Sequence, residues 1–181
     1  ILLISVLSLS FFSSCTEDED AYVGRGLIIN EFLASNDACC TDQSGDYDDW
    51  VELFNDSSDP IDIGGMYFTD TPDDDNPYLI HSNEPLTTTI PAGGYLIIWC
   101  DTAGTSQSGL HTTYRLSADQ EEVYLSDPSG NVIDAVHFVN MPIDIAYARV
   151  PNGFGTFVHQ LHSQDLHNNS ISSDNNIQIS T

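Results

Sequence analysis

From Leu27 onward the chain never stays apolar for long. Short runs rich in Val, Ile, Tyr, Phe and Trp recur: "LIINEF" (27–32), "WVELFN" (50–55), "MYFT" (66–69), "YLIIWC" (95–100), "EEVYLSD" (121–127), "VIDAVHF" (132–138) and "IAYARV" (145–150). Gly, Pro, Asp or Asn bounds most of them, which is how strands and turns alternate. "DPSGN" (127–131) spaces Pro and Gly for a tight hairpin, and "DIGGM" (62–66) and "PAGGY" (91–95) set paired glycines beside strand ends. No helical period of useful length competes. This pattern predicts an all-β chain folded as an antiparallel β-sandwich.

The 181 residues suffice for one domain with appendages, and 40% hydrophobic content suffices for a core. Charge narrows the partners. There are 28 acidic residues against 3 basic, a formal net charge of -25, and the basic three are all arginines (Arg25, Arg115, Arg149). Such a surface repels phosphate backbones and anionic headgroups, so nucleic acid is not an expected partner.

Residues 1–12, "ILLISVLSLSFF", are too short a run to cross a bilayer but match the apolar region of an export signal. The missing initiator Met and missing positive residues read as a sequence trimmed at its start. The run closes in "FFSSC", which resembles the lipobox of bacterial lipoproteins, where the cysteine is lipidated. The expected organisation is therefore a signal peptide over 1–14 and an acidic tether over 15–26 beginning at lipidated Cys15. A sandwich over 27–163 follows, then a polar flexible tail over 164–181, "QDLHNNSISSDNNIQIST", or a linker to something further. Acyl chains contribute about 0.8 kcal/mol per buried methylene, enough for a lasting anchor. "TEDED" after Cys15 resembles the acidic tag that sends some lipoproteins to the outer face of the outer membrane. The expected location is the cell envelope, at the outer membrane and exposed at the surface.

Six pieces in register carry a further resemblance: "IINEFLASN" (28–36), "DDWVELFN" (48–55), "PIDIGGMYFTD" (60–70), "IPAGGYLIIW" (90–99), "LHTTYRLSADQEEVYLSDPSGNVIDAVHF" (110–138) and "AYARVPNGFGTF" (146–157). Together they resemble the lamin tail domain, an immunoglobulin-like β-sandwich found in nuclear lamins and secreted bacterial proteins. The resemblance implies inter-sheet packing by Trp50, Leu53 and Phe54, a turn at Gly93 and Gly94, and a structural role for Arg149 in an "R-x-P-x-G" turn. It also implies a non-catalytic binding, adhesion or scaffold module. The closing Trp and Thr-Pro-Gly segment of many members is replaced here by "TFVHQLHSQDLHNN", which leaves the last strand open.

The chemistry-bearing stretch is "TDQSGDYDDW" (41–50). Asp42, Asp46, Asp48 and Asp49 are expected to converge with Asp70 and Asp73 of "TDTPDDDN", and calcium is the cofactor such hard oxygens suit. The alternative is a hydrated acidic loop. Calcium-dependent recognition of an extracellular protein or polysaccharide is thus one further function, and an accessory role in a surface hydrolase system another. Paired carboxylates also serve glycosidases, but nothing in the sequence locates a cleft. Among the cysteines a long-range disulfide of Cys40, or of Cys39, with Cys100 is expected, with a vicinal Cys39–Cys40 bond the rarer option. His159, His162 and His167 read as exposed, and His111 as a structural hydrogen-bonder. No nucleophile elbow, phosphate loop or dinucleotide fingerprint is present, so the chain is not expected to be an enzyme.

Overall fold

The computed structural model describes residues 26–71 and 75–168. Their strands are β1 (Leu27–Leu33), β2 (Asp49–Asn55), β3 (Ile61–Asp62), β4 (Tyr67–Thr69), β5 (Tyr78–Leu79), β6 (Thr89–Ile90), β7 (Tyr95–Cys100), β8 (Gln120–Ser126), β9 (Val132–Val139), β10 (Ala146–Val150) and β11 (Thr156–Gln160). They form an antiparallel five-stranded sheet, β11-β10-β1-β2-β7, and an antiparallel four-stranded sheet, β5-β4-β8-β9. A two-residue ladder joins β3 to β6. The all-β sandwich expected from the sequence is the fold found. Each of the seven apolar runs contributes a strand. Those not foreseen are β3, β5 and β6, two residues each, and β11. Two residues are too few to show alternation, and β11 is an edge strand with mostly exposed side chains.

Alternation along β2 and β7 sorts the side chains. Val51 and Leu53 pair with Ile98 and Leu96 and face the four-stranded sheet. There they meet Phe68, Val123, Leu125, Val136 and Phe138. Phe32 sits at the centre, with its ring 4.5 Å from Phe138 and 5.6 Å from Tyr147. Each such fully buried side chain contributes about 1.5–3 kcal/mol.

Trp50 faces the other way. It is paired with Trp99 and packs with Leu33, Ala146, Cys39 and Cys40 in a second cluster, on the outer side of the five-stranded sheet. The inter-sheet role expected for Trp50 and Phe54 is therefore corrected. Both share the parity of Glu52, opposite to Leu53, and the Phe54 ring lies 5.0 Å from that of Tyr95, tilted by 32°. The second covered face explains why β1 and β2 are buried along nearly their whole length.

A register shift between Ile29 and Glu31 inserts Asn30 as a bulge. The shift keeps Ile29 and Phe32 on the inner face while setting Glu31 directly opposite Glu52 on the outer face. Residues 163–168 lie over that pair. The Ser163 N–H and Oγ–H donate to the Glu31 carboxylate at 2.9 and 2.6 Å, and the Asp165 N–H donates to Glu52 Oε2 at 2.7 Å. Asn168 Nδ2 donates to the Arg149 carbonyl at 2.8 Å. The polar tail expected from residue 164 thus remains part of the folded unit through Asn168. Ser163, just before it, and Asn168 within it serve as partners for buried strand groups.

Arg149 closes the seam between the sheets. Its Nη2 donates to both Asp134 oxygens at 3.1 Å, its Nε donates to the Ile29 carbonyl at 2.9 Å, and its guanidinium lies 4.5 Å from the Phe157 ring. Gly93 adopts φ +66 in the turn before β7, and a Cβ on Gly94 would come within 2.9 Å of the Pro91 ring.

Candidate functional site

Asp49 at the start of β2 pairs with Cys100 at the end of β7. The loop entering β2 and the loop leaving β7 therefore emerge at one end of the sandwich. Residues far apart in sequence (41–48 and 101–115) meet there.

Asp42 organises the first loop. Its Oδ1 accepts the N–H groups of Ser44 at 2.8 Å and Asp46 at 2.9 Å, an Asx-type turn that Gly45 completes at φ +91. Asn36 ties the loop down by donating to the carbonyls of Cys40 and Asp48. The second loop is held by Asp101, whose Oδ1 accepts the Ala103 N–H at 2.8 Å and whose Oδ2 lies 2.8 Å from His111 Nδ1. His111 Nε2 lies 3.0 Å from the Ser108 carbonyl, and Ser44 Oγ donates to Gln107 across the two loops. His111 is fully buried and makes the structural hydrogen bonds expected of it.

Carboxylate oxygens of Asp42, Asp46 and Asp48 lie within 4.8 Å of one another, as do ligand atoms of Asp42, Asp101 and His111. Two carboxylates about 4 Å apart near a protein surface repel by about 4 kcal/mol. Burial, reinforced by Asp101, pushes the Asp48 carboxyl above the usual carboxylate range. The nearby cation is Arg115, whose Nη2 is 3.8 Å from Asp48 Oδ1 and whose side chain is mostly in solvent. Asp42 is only 7% exposed, and its Oδ2 has no hydrogen-bond partner. An open cleft lies against this group, lined by Asp46, Tyr47, Asp48, Asp101, Gln107 and Arg115, with Tyr47 half-exposed. It offers oxygen ligands, one aromatic face and one guanidinium.

The expected calcium set is split. Asp42, Asp46 and Asp48 come together, but Asp49 points to the inner side of β2. Burial raises its carboxyl to about 6. Asp70 and Asp49 each lie near Glu121, and burial raises the Glu121 carboxyl to about 7. The cause is parity: Asp48 belongs to the loop, while Asp49 begins the strand. Asp73 and Cys15 lie outside the described residues.

The expected Cys40–Cys100 bond is corrected. Cys39 and Cys40 are disulfide-bonded to each other, and Cys100 is a buried free thiol. Cys100 faces the inter-sheet core, whereas Cys39 and Cys40 pack on the outer cluster with Trp99. The sheet itself stands between them. Burial pushes the Cys100 thiol well up.

Two groups were not anticipated from sequence. Asp101 follows the "YLIIWC" strand directly, so its place at the sheet end was readable. Glu31 and Glu52 are both fully buried; Glu52 lies between Val51 and Leu53, and Glu31 is set within the strand run "LIINEF", which was their signal. Burial raises both carboxyls, that of Glu52 to about 8.

Among the described residues, no helix is long and apolar enough to cross a membrane. The family model described as Lamin Tail Domain matches residues 21–140. No curated protein matches the chain. β10 and β11, beyond the matched span, complete the five-stranded sheet.

Proposed function

This chain belongs to the lamin tail domain family, and from that membership we propose that it is a non-catalytic recognition module held on the bacterial cell envelope by lipid at Cys15. The partner is an extracellular protein or a polysaccharide met at the acidic end of the sandwich. The observation that carries this reading is the cleft where Tyr47 offers an exposed ring among Asp46, Asp48, Asp101, Gln107 and Arg115. Hydrogen bonds from Asn36 to the Asp48 carbonyl, from Ser44 to Gln107 and from Ala103 to Asp101 hold the two loops that carry these groups. Preorganisation of that kind lowers the cost of binding. An aromatic face with hydrogen-bonding neighbours suits both sugar rings and polar protein surfaces.

A second reading is that calcium takes part in recognition, favoured by the meeting of Asp42, Asp46 and Asp48 at the same cleft. A role as the accessory module of a surface hydrolase system is compatible with either.

Glycan and protein arrays probed with the full chain test the recognition reading, alongside Tyr47→Ala and Arg115→Ala. Binding that both substitutions weaken supports it. Binding that neither changes would move the contact surface elsewhere. Mass spectrometry of the membrane fraction tests the anchor, which requires acyl chains on Cys15.

A further inference from the structure

We propose that Asp42, Asp46 and Asp48 form a binding site for a hard divalent cation of the calcium type. The carboxylate oxygens of these three residues lie within 4.8 Å of one another. Oxygen-bearing side chains recur at every second position (Asp42, Ser44, Asp46, Asp48), and the backbone turn between them brings those positions together.

Asp42 supplies an observation independent of the clustering. Its Oδ1 is occupied by two backbone N–H groups. Its Oδ2 is buried, has no donor, and belongs to a side chain that is more than nine-tenths covered. A buried anionic oxygen without a donor, set among further carboxylates, is what a cation site presents before the ion is added. Asp46 is exposed and opens the group to solvent, which gives an ion its route and leaves coordination positions for water or a ligand. Calcium takes six to eight oxygens in irregular geometry, so three carboxylates plus water or a ligand suffice.

The donor set argues against a softer metal. Both ring nitrogens of His111 are engaged, one with Asp101 Oδ2 and one with the Ser108 carbonyl. The sulfurs of Cys39 and Cys40 are bonded to each other. No nitrogen or sulfur ligand is therefore free at this cluster, and zinc prefers such ligands.

The inference deepens the calcium reading above and rests on it for biological use only. Uptake of the ion is measured alone, with no partner present, so failure of the site and failure of recognition are separate results.

The experiment uses the metal-stripped full chain, titrated with calcium chloride by calorimetry and followed by thermal melting. Magnesium and zinc chlorides are run in parallel. Saturable calcium uptake is expected, with half-saturation on the order of 10⁻⁴–10⁻³ M as in extracellular modules, together with a rise in melting temperature. Asp42→Asn should bind at least about tenfold more weakly, a loss of about 1.4 kcal/mol. Its metal-free melting temperature should not fall, because the amide oxygen still serves the turn and the Nδ2 group donates to neighbouring carboxylates. Asp46→Asn, at an exposed position, should weaken uptake similarly and serves if Asp42→Asn does not fold. Asp59→Asn, exposed beyond the opposite end of β2, controls for general screening of negative charge and should leave uptake unchanged. The proposal is overturned by any of three results: no saturable calcium uptake, uptake equal to wild type in both Asp42→Asn and Asp46→Asn, or saturable binding of zinc without calcium.

Discussion

Replacing Glu52 by Gln makes the stability of this sandwich less sensitive to alkali. Glu52 is fully buried on the outer face of β2, opposite Glu31. Burial, the largest influence, raises its carboxyl from 4.5 to about 8. A carboxyl with a raised pKa binds its proton more tightly in the folded than in the unfolded chain. Between about pH 4.5 and 8 the folded state therefore holds more protons, and stability falls as pH rises. The shift of 3.5 (8 minus 4.5) corresponds to about 5 kcal/mol at 1.36 kcal/mol per unit.

The amide of the Glu52→Gln variant does not titrate. It presents one acceptor oxygen where the Glu52 carboxyl presents two, so either the Asn30 amide or the Asp165 N–H loses its partner. That loss costs about 1–3 kcal/mol at any pH. Wild type should thus be the more stable protein near pH 5 and the variant the more stable above pH 8, with a crossover between. The assay is urea unfolding of both proteins from pH 5 to 9 in high salt, which screens the net charge of -25. Comparing the two also removes the parallel contributions of Asp49 and Glu121, whose carboxyls are raised as well. A stability difference that stays constant with pH, or that favours wild type more strongly in alkali, would refute the reasoning.

Arg149→Ala should destabilise the domain by about 3 kcal/mol in chemical denaturation, because it leaves the partly buried Asp134 carboxylate without its cation. Arg149→Lys should recover only part of that, since a lysine cannot serve Asp134, the Ile29 carbonyl and the Phe157 ring together. Gly155→Ala should fail to give folded protein by circular dichroism, because its Cβ would stand 1.9 Å from the Val150 carbonyl carbon. Under non-reducing conditions iodoacetamide should leave Cys100 unmodified in the native protein and label it once the chain is unfolded. Peptide mapping should meanwhile find Cys39 and Cys40 joined; labelling of Cys100 in the native state would contradict its burial.

The strands were legible because apolar runs and turn residues act locally, and each run from "LIINEF" to "IAYARV" became a strand. What the runs hid was a second covered face. Alternation normally separates a wet side from a dry one, but β1 and β2 are dry on both. Trp50 therefore could not be assigned to a face from its hydrophobicity. The same ambiguity misdirected the disulfide: Trp99 and Cys100 are neighbours in sequence but lie on opposite sides of the sheet. The acidic loop was visible as charge. Its division into Asp42, Asp46 and Asp48 on one side and Asp49 with Asp70 on the other depends on where the strand begins. The bulge at Asn30 had no local signal at all, yet it alone sets Glu31 opposite Glu52.

Two acidic groups in this fold invite opposite conclusions. The Glu31 and Glu52 carboxyl groups are deeply buried, yet each of their four oxygens accepts a donor from the chain itself: Ser163 twice, Asp165 and Asn30. Such a pair is complete without anything added, and its work is to dock residues 163–168 on the sheet. At the end of the sandwich the balance differs. Asp42 Oδ1 has two donors and Oδ2 has none, while Asp46 and Asp48 add charge that one solvent-exposed guanidinium at 3.8 Å does little to offset. Buried polar atoms in folded proteins are almost always satisfied. Under the cation proposal above, Asp42 Oδ2 is the atom that an added ion would partner, with Asp46 and Asp48 completing the carboxylate set.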